Sequence, residues 1–161
     1  MTDTHFEILD RHRLNWPESF DELWMSYAFA LHRTHEVDRQ HADAVIARHD
    51  LSPTEFDVLA TLRRSPPPGE LTPSEIQQAM LITSGGLTKV LQQLETRGLI
   101  TRSTSVADRR SKPVHLSPAA VELIEKAMSE LVAVMSAAVK EKLSEKEIKD
   151  LVRLLNKARL A

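Results

Sequence analysis

The sequence contains no cysteine among its 161 residues. This absence excludes a disulfide framework, a zinc site with thiolate ligands and a thiol nucleophile. No apolar stretch reaches the ~18 residues that a membrane-spanning helix requires, and the first residues lack the apolar core of a signal peptide. We therefore expect a cytoplasmic protein that does not bind membranes.

The residue patterns of common enzyme sites are also missing. The sequence has no glycine-rich phosphate-binding loop, no nucleophile elbow and no compact metal-ligand motif. We therefore expect no catalytic residues, no bound cofactor and no enzymatic activity. The function classes that remain are a binding protein and a dimeric protein-interaction module.

Charge is distributed unevenly along the chain. The formal net charge is −2, but the segment from Arg63 to Lys112 contains eight basic and four acidic residues. A basic middle between acidic ends fits a surface for a polyanion, and it fits random clustering on a solvated surface equally well. Six of the seven aromatic residues lie before residue 30, outside this segment. Because single-stranded nucleic acids bind by stacking on aromatic side chains, duplex DNA is the predicted polyanion.

Several helix starts are marked by a side-chain hydroxyl. Ser52, Thr72 and Ser144 are each followed three residues later by glutamate, which is the capping-box pattern, and Ser117 precedes a proline. Together with helical spacing of apolar residues, these caps predict several helices. They cover residues 53–64, 73–80, 118–143 and the stretch after Ser144. Helical spacing after Pro17 predicts a further, long helix over about residues 17–48.

A helix predicted from Thr83 or Ser84 to Gly98 has two chemically different faces. Its apolar residues lie on one face, and the opposite face has short, uncharged or basic side chains that can hydrogen-bond base edges. The candidate DNA-recognition residues on that face are Ser84, Thr88, Lys89, Gln92 and Gln93.

Two short strands with a basic connection follow this helix. They are predicted from Leu99 to Ser103 and from Lys112 to Leu116. Three helices followed by such a hairpin form the element order of a winged helix-turn-helix, whose third helix enters the major groove. The predicted fold class is therefore mainly α with a small β-hairpin wing, joined to a helical dimerisation region.

The hairpin carries a recognisable signature. Residues Asp108–Ser117 (DRRSKPVHLS) resemble the wing signature of the MarR family, D-x-R-x-x-x-V-x-L-T, with serine in place of the final threonine. Residues 87–100 resemble the recognition helix and first wing strand of that family. The resemblance implies a homodimeric transcriptional regulator of a palindromic operator, most often a repressor released by a small phenolic or carboxylate compound.

The resemblance also implies roles for the wing residues. Arg110 matches the arginine that enters the minor groove, and Asp108 matches the acid that braces the wing. The neighbouring Arg109 and Lys112 are candidates for phosphate contacts.

The last two predicted helices have narrow apolar stripes. Their apolar residues recur at intervals of three and four, which is typical of a heptad seam. A second copy of the chain is the simplest partner for such stripes, and packing against the long helix near the N-terminus is the alternative. The predicted dimerisation residues are Val121, Ile124, Met128, Leu131, Leu151 and Leu155.

These features predict three parts of the chain. Residues 1–48 form an N-terminal arm and a long helix that serve dimerisation and border an effector cleft. Residues 49–117 form the winged helix-turn-helix DNA-binding module, and residues 118–161 form the C-terminal dimerisation helices.

Histidines His32, His35 and His41 recur along the long helix together with Asp38. They suit a metal site or an effector cleft; without a cysteine or a compact HxxxH pair, we predict no metal ligand. Tyr27 and His35 are the candidate effector contacts. A metal-responsive regulator of the same fold and an interaction module with vestigial DNA binding are the alternative functions.

Overall fold

The structure is a computed structural model that describes residues 4–80, 84–102 and 113–158. In chain order the elements are α1 (Thr4–Asn15), a 3-10 helix (Pro17–Ser19), α2 (Glu22–Ala47), α3 (Pro53–Arg64), α4 (Pro73–Met80), α5 (Ser84–Thr96), β1 (Ile100–Arg102), β2 (Val114–Leu116), α6 (Pro118–Lys142) and α7 (Glu145–Ala158). The predicted fold class, mainly helical with a two-stranded hairpin, is confirmed. Within the described ranges, no helix has the length and hydropathy needed to span a bilayer.

The chain divides into two compact units, Met1–His41 and Ala42–Ala161. In the first unit, side chains around the 3-10 helix hold the turn that follows α1. The ring of His12 stacks on Trp16 with centroids 5.3 Å apart, and its Nε2 lies 2.7 Å from the hydroxyl of Ser19. The guanidinium of Arg13 lies 5.1 Å from the ring centroid of Phe20. Ring contacts and a hydrogen bond thus fix this turn.

The predicted long helix is confirmed over Glu22–Ala47, but its predicted start at residue 17 was wrong. Pro17 begins only a 3-10 helix of three residues. The α-helix starts at Glu22 because Oδ1 of Asp21 accepts a hydrogen bond from the amide of Trp24 at 2.9 Å, as an N-cap side chain does. The preceding helix α1 was missed because its sequence is mostly charged and polar, so its apolar periodicity is faint.

The second unit has one hydrophobic core, formed by α3, α4, α5, the hairpin and the first half of α6. Its largest fully buried side chains include Leu59, Leu62, Ile76, Leu91, Leu94, Ile100, Val114 and Ile124. Each helix contributes one apolar face, so the removal of these faces from water drives the elements together.

The predicted helix caps are confirmed. The amide of Glu55 donates to Oγ of Ser52, and the amide of Ser52 donates to Oε2 of Glu55. The same reciprocal pairs join Thr72 with Glu75 and Ser144 with Glu147, and Oγ of Ser117 accepts from the amide of Ala120. Consequently α3 and α4 have the predicted bounds, and α6 ends one residue early.

The hairpin is antiparallel, with Ile100 opposite Leu116 and Arg102 opposite Val114. Of the predicted strand residues, Leu99 and Pro113 lie outside the strands, and Ser103 and Lys112 lie outside the described residues. Val114 also exchanges two backbone hydrogen bonds with Leu71, at 2.8 and 3.1 Å. The start of β2, at the end of the ladder next to the connecting segment, is therefore attached to the segment that leads into α4.

The prediction that Ile124 faces a second copy of the chain was wrong. Its side chain is 1% exposed and lies in the core of its own chain, beside α3. Met128 and Leu131 pack against the same core and are partly buried. Periodicity identified the apolar face correctly, but the first half of α6 packs within the winged module. Leu151 and Leu155, by contrast, are 45% and 38% exposed.

Candidate nucleic-acid interface

The orientation of α5 determines which of its side chains reach solvent. Leu87, Leu91 and Leu94 are buried in the core of the module, so the opposite face of the helix points outward. The four predicted recognition residues that the structure describes there are all exposed: Thr88, Lys89, Gln92 and Gln93. Ser84 begins the helix, and its side chain lies outside the described residues.

A shallow hollow lies beside this exposed face. It is lined by Glu55, Lys89, Gln92, Gln93, Thr96 and Arg97. The glutamine amides offer donors and acceptors, and the lysine offers a cation. This combination suits hydrogen bonds to base edges together with a contact to the phosphate backbone.

The end of α5 has a defined backbone geometry. Gly98 adopts a φ of +68°, in the left-handed region. Its amide donates to the carbonyl of Glu95 at 3.0 Å, and the amide of Leu99 donates to the carbonyl of Leu94 at 2.9 Å. These two bonds form a Schellman motif. The predicted end of the helix at Gly98 is therefore confirmed, and the helix leads directly into β1.

Arg97, next to this glycine, connects α5 with the start of α3. Its Nη1 donates to Oε1 of Glu55 at 2.8 Å, and its Nη2 donates to the carbonyl of Asp50 at 2.8 Å. Burial raises the pKa of Glu55, but hydrogen bonds from Ser52 and Arg97 outweigh it and hold the pKa below its usual value. The sequence identified Glu55 only as a capping residue and counted Arg97 only as a positive charge.

Ion pairs engage three of the basic residues in the middle segment. Arg63 pairs with Glu125 at 2.9 Å, Arg97 with Glu55 at 2.8 Å and Arg102 with Glu95 at 3.1 Å. The charge count from the sequence therefore overstates the positive charge that these side chains offer to a polyanion. Lys89 on the exposed face of α5 is a better candidate for a phosphate contact.

The four predicted wing residues, Asp108, Arg109, Arg110 and Lys112, lie outside the described residues. In the sequence, these four residues lie between β1 and β2, and the pairing of Arg102 with Val114 holds these two strands together. Their predicted roles stay predictions.

The predicted effector residues Tyr27 and His35 are both exposed on α2, about two turns apart. In the described ranges, no three histidine, aspartate or glutamate side chains lie close enough together to hold a metal ion.

A hollow that the sequence did not predict lies between α3 and α6. It is lined by Ala60, Arg63, Arg64, Ile124, Glu125, Met128, Ser129 and Val132. Its walls come from two helices that are about sixty residues apart in the sequence, so no local pattern could have identified it. The adjacent Arg63 and Arg64 at the end of α3 were the only local feature of the sequence that pointed to a binding site here.

Comparison with known proteins identifies the family. The sequence model of the MarR family matches residues 49–111, which include α3, α4, α5 and β1. An uncharacterised HTH-type transcriptional regulator of Bacillus anthracis is 31% identical over 118 residues, which is 73% of this chain and 76% of that protein. The chain belongs to the MarR family.

Two further proteins are similar to this chain. The HTH-type transcriptional regulator PecS of Dickeya dadantii (strain 3937) is 38% identical over 94 residues, 58% of this chain and 56% of PecS. The chain thus spans about half the length of that relative. The crystal structure of the S. aureus MepR–DNA complex has 27% sequence identity and a TM-score of 0.68, and the match covers 86% of this chain and 96% of that one. Because the matched relatives are transcriptional regulators, the predictions of a MarR-family regulator and of no enzymatic activity are confirmed.

Proposed function

We propose that the protein is a cytoplasmic repressor that binds a palindromic operator in duplex DNA as a homodimer and is released by a small phenolic or carboxylate effector. The observation that carries this proposal is the exposed polar face of α5, which three buried leucines hold outward. Relatedness to MepR, whose complex with DNA has been solved, supports it. A helix placed in this way enters a major groove, where each base pair presents its own pattern of donors and acceptors.

DNA recognition is divided between the two elements of the module, residues 49–117. The α5 residues Thr88 and Gln92 contact base edges. In the wing, Arg109 and Lys112 contact phosphates and Arg110 enters the minor groove, with Asp108 as its brace.

A homodimer is supported by α7, which has no buried residue. Its exposed apolar side chains are Leu151, Val152, Leu154 and Leu155. A helix with four such residues gains stability when a second copy covers them. We assign dimerisation to residues 118–161 together with residues 1–48, and the two-fold symmetry of the dimer supplies two recognition helices for a palindrome.

An effector of the proposed chemistry fits the hollow between α3 and α6. Met128 and Val132 offer apolar contact, and Arg64 offers a cation whose described hydrogen bonds go only to Ala60 and Thr61 of its own helix. Tyr27 and His35 on α2 are the other candidate contacts. To release DNA, the effector has to bind more tightly to a form of the dimer that does not fit the operator.

A mobility-shift titration tests the proposal, with the DNA that flanks the gene of the protein and a random duplex of equal length. We expect the flanking DNA to bind at least roughly a thousand times more tightly. Lys89→Gln should weaken binding, whereas the matched control Lys126→Gln, which removes one exposed positive charge from α6, should not. Equal binding of the two duplexes by the wild-type protein would refute the proposal.

A further inference from the structure

The guanidinium of Arg97 joins the end of α5 to two points at the start of α3. One nitrogen donates to Glu55 and the other to the carbonyl of Asp50, each at 2.8 Å. Asp50 has a φ of +53°, which is uncommon for a residue with a side chain. The hydrogen bond from Arg97 therefore stabilises a turn whose backbone is unfavourable by itself.

The carboxylate of Glu55 is bound on both of its oxygens. Oε1 accepts from Arg97, and Oε2 accepts from the amide and the hydroxyl of Ser52, at 2.8 and 2.9 Å. The Glu55 side chain is only 10% exposed. The Arg97 side chain is more exposed, at 36%. A charge-assisted hydrogen bond to a largely buried carboxylate whose two oxygens both have partners is directional and stiff.

The Arg97–Glu55 contact restrains the direction of α5, which the apolar face of that helix does only weakly. Leu87, Leu91 and Leu94 hold the helix against the core, but apolar contacts are non-directional and set the tilt of a helix only loosely. Arg97 lies directly after the last residue of α5. Glu55 and Arg97 also line the same hollow as Gln92 and Gln93, so the pair is adjacent to the recognition surface.

We propose that Arg97 and Glu55 are positioning residues that set the angle of α5 for operator binding, and that Arg97 acts through Glu55 and not through a DNA phosphate. This inference rests on the proposed DNA-binding function. It separates Arg97 from Lys89, the candidate for a phosphate contact on α5, since the guanidinium of Arg97 already has acceptors on two other residues, Glu55 and Asp50.

The test compares Arg97→Gln with Glu55→Gln, with Arg109→Ala as the control for removal of a phosphate-binding side chain. Each glutamine variant should bind the operator about tenfold more weakly, because a charge-assisted hydrogen bond is removed. The number of bound phosphates stays the same, so the salt dependence of binding should not change, and the affinity for the random duplex should change far less than the affinity for the operator. The weaker binding of Glu55→Gln is the decisive result, since removal of a negative charge would by itself strengthen binding to DNA. The double variant should be no weaker than the single variants, as expected for one shared contact.

Two results would overturn the inference. If Arg97→Gln weakens both duplexes and reduces the salt slope by about one unit per half-site, Arg97 binds phosphate. If Glu55→Gln keeps wild-type operator affinity, the carboxylate has no positioning role.

Amide hydrogen exchange provides a readout that does not depend on DNA. In both variants, exchange should accelerate at Leu94–Leu99, while the fully buried Leu59 stays protected and shows that the core is folded. Unchanged exchange at the end of α5 would refute the positioning role. Failure of the wild-type protein to prefer its operator would refute the proposed function instead.

Discussion

Nε2 of His49 lies 2.8 Å from Oε2 of Glu130, which connects the turn after α2 to the middle of α6. The histidine side chain is 7% exposed. Arg48, from the same turn, donates to the other oxygen of Glu130 at 2.9 Å. Hydrogen bonds from Arg48 and His49 hold the pKa of Glu130 below its usual value. The carboxylate therefore attaches two elements that are 81 residues apart.

Replacement of Glu130 by glutamine should destabilise the protein at neutral pH and have less effect in acid. A lowered pKa means that the folded state binds the carboxyl proton less tightly than the unfolded chain does. The stabilisation is therefore present above the unfolded pKa of about 4.3 and disappears as the pH falls through the folded value. Urea unfolding of both proteins at about pH 7 and about pH 3.5 measures this difference. Glu122→Gln, a change on the same helix, is the control, and a Glu130→Gln effect that persists undiminished in acid would contradict the prediction.

Gly98→Ala should lower the free energy of unfolding by about 1 kcal/mol, the cost of a side chain in the left-handed region. A Cβ at this position meets no atom within 4 Å, so the cost arises from the backbone alone. Gly98→Asn should cost less, because asparagine tolerates this conformation better. Urea denaturation measures both variants. A decrease of several kcal/mol for alanine would instead indicate a steric clash.

Leu151→Glu should convert the proposed homodimer into monomers and abolish operator binding. A charge there would have to be buried without a partner in the dimer, at a cost of several kcal/mol. We expect no stable folded monomer of the wild-type chain at micromolar concentration. Sedimentation velocity measures the change, with Lys149→Glu on the same helix as the charge control. A monomeric wild-type protein would end this hypothesis.

Substitutions in α5 and in the wing should affect DNA binding in different ways. Thr88→Ala and Gln92→Ala should each cost on the order of 1–3 kcal/mol on the operator only. Arg109→Ala and Lys112→Ala should weaken operator and random duplex alike and reduce the salt slope by about one unit for each phosphate that is no longer bound. Arg110→Ala should weaken binding to both duplexes but should weaken operator binding more, since an arginine in the minor groove responds to groove width, which depends on sequence. Titration of both duplexes at several salt concentrations distinguishes the classes. The opposite pattern would mean that the two roles are exchanged.

Aromatic carboxylates should release the operator from the wild-type protein. If the effector binds between α3 and α6, Arg64→Gln should raise the concentration needed about tenfold, since a charge-assisted hydrogen bond is removed. Tyr27→Phe and His35→Gln should then have little effect. A larger effect of these two variants would place the effector on α2, and no response to any carboxylate would argue against this effector class.

Local chemistry explains why most helix boundaries could be predicted from the sequence. Ser52 and Glu55 form reciprocal side-chain to backbone hydrogen bonds within one helical turn, and so do Thr72 and Glu75. Residues close in sequence therefore determine where these helices begin. The exposed face of α5 follows from periodicity in the same way. The helix α1 escaped prediction because few of its residues are apolar.

Contacts between distant parts of the chain could not be predicted. Glu55 and Arg97 are 42 residues apart, and no pattern in either helix indicates the other partner. Ile124 shows a related limit: its spacing indicates an apolar face, but spacing does not tell whether the same chain or a second copy covers that face. Only tertiary structure decides this.

The hairpin is attached at both ends of its ladder, so we expect its connecting segment to be exchangeable. Leu71 holds Val114, and the amide of Ser117 donates to the carbonyl of Leu99 at 3.0 Å, so both strands are anchored independently of the residues that join them. Doubling the length of a flexible connection adds only about 0.6 kcal/mol of closure entropy. We therefore expect that segments from other regulators can be grafted between Arg102 and Val114 without loss of the folded core, so that the proposed DNA contacts of the wing can be exchanged separately from those of α5.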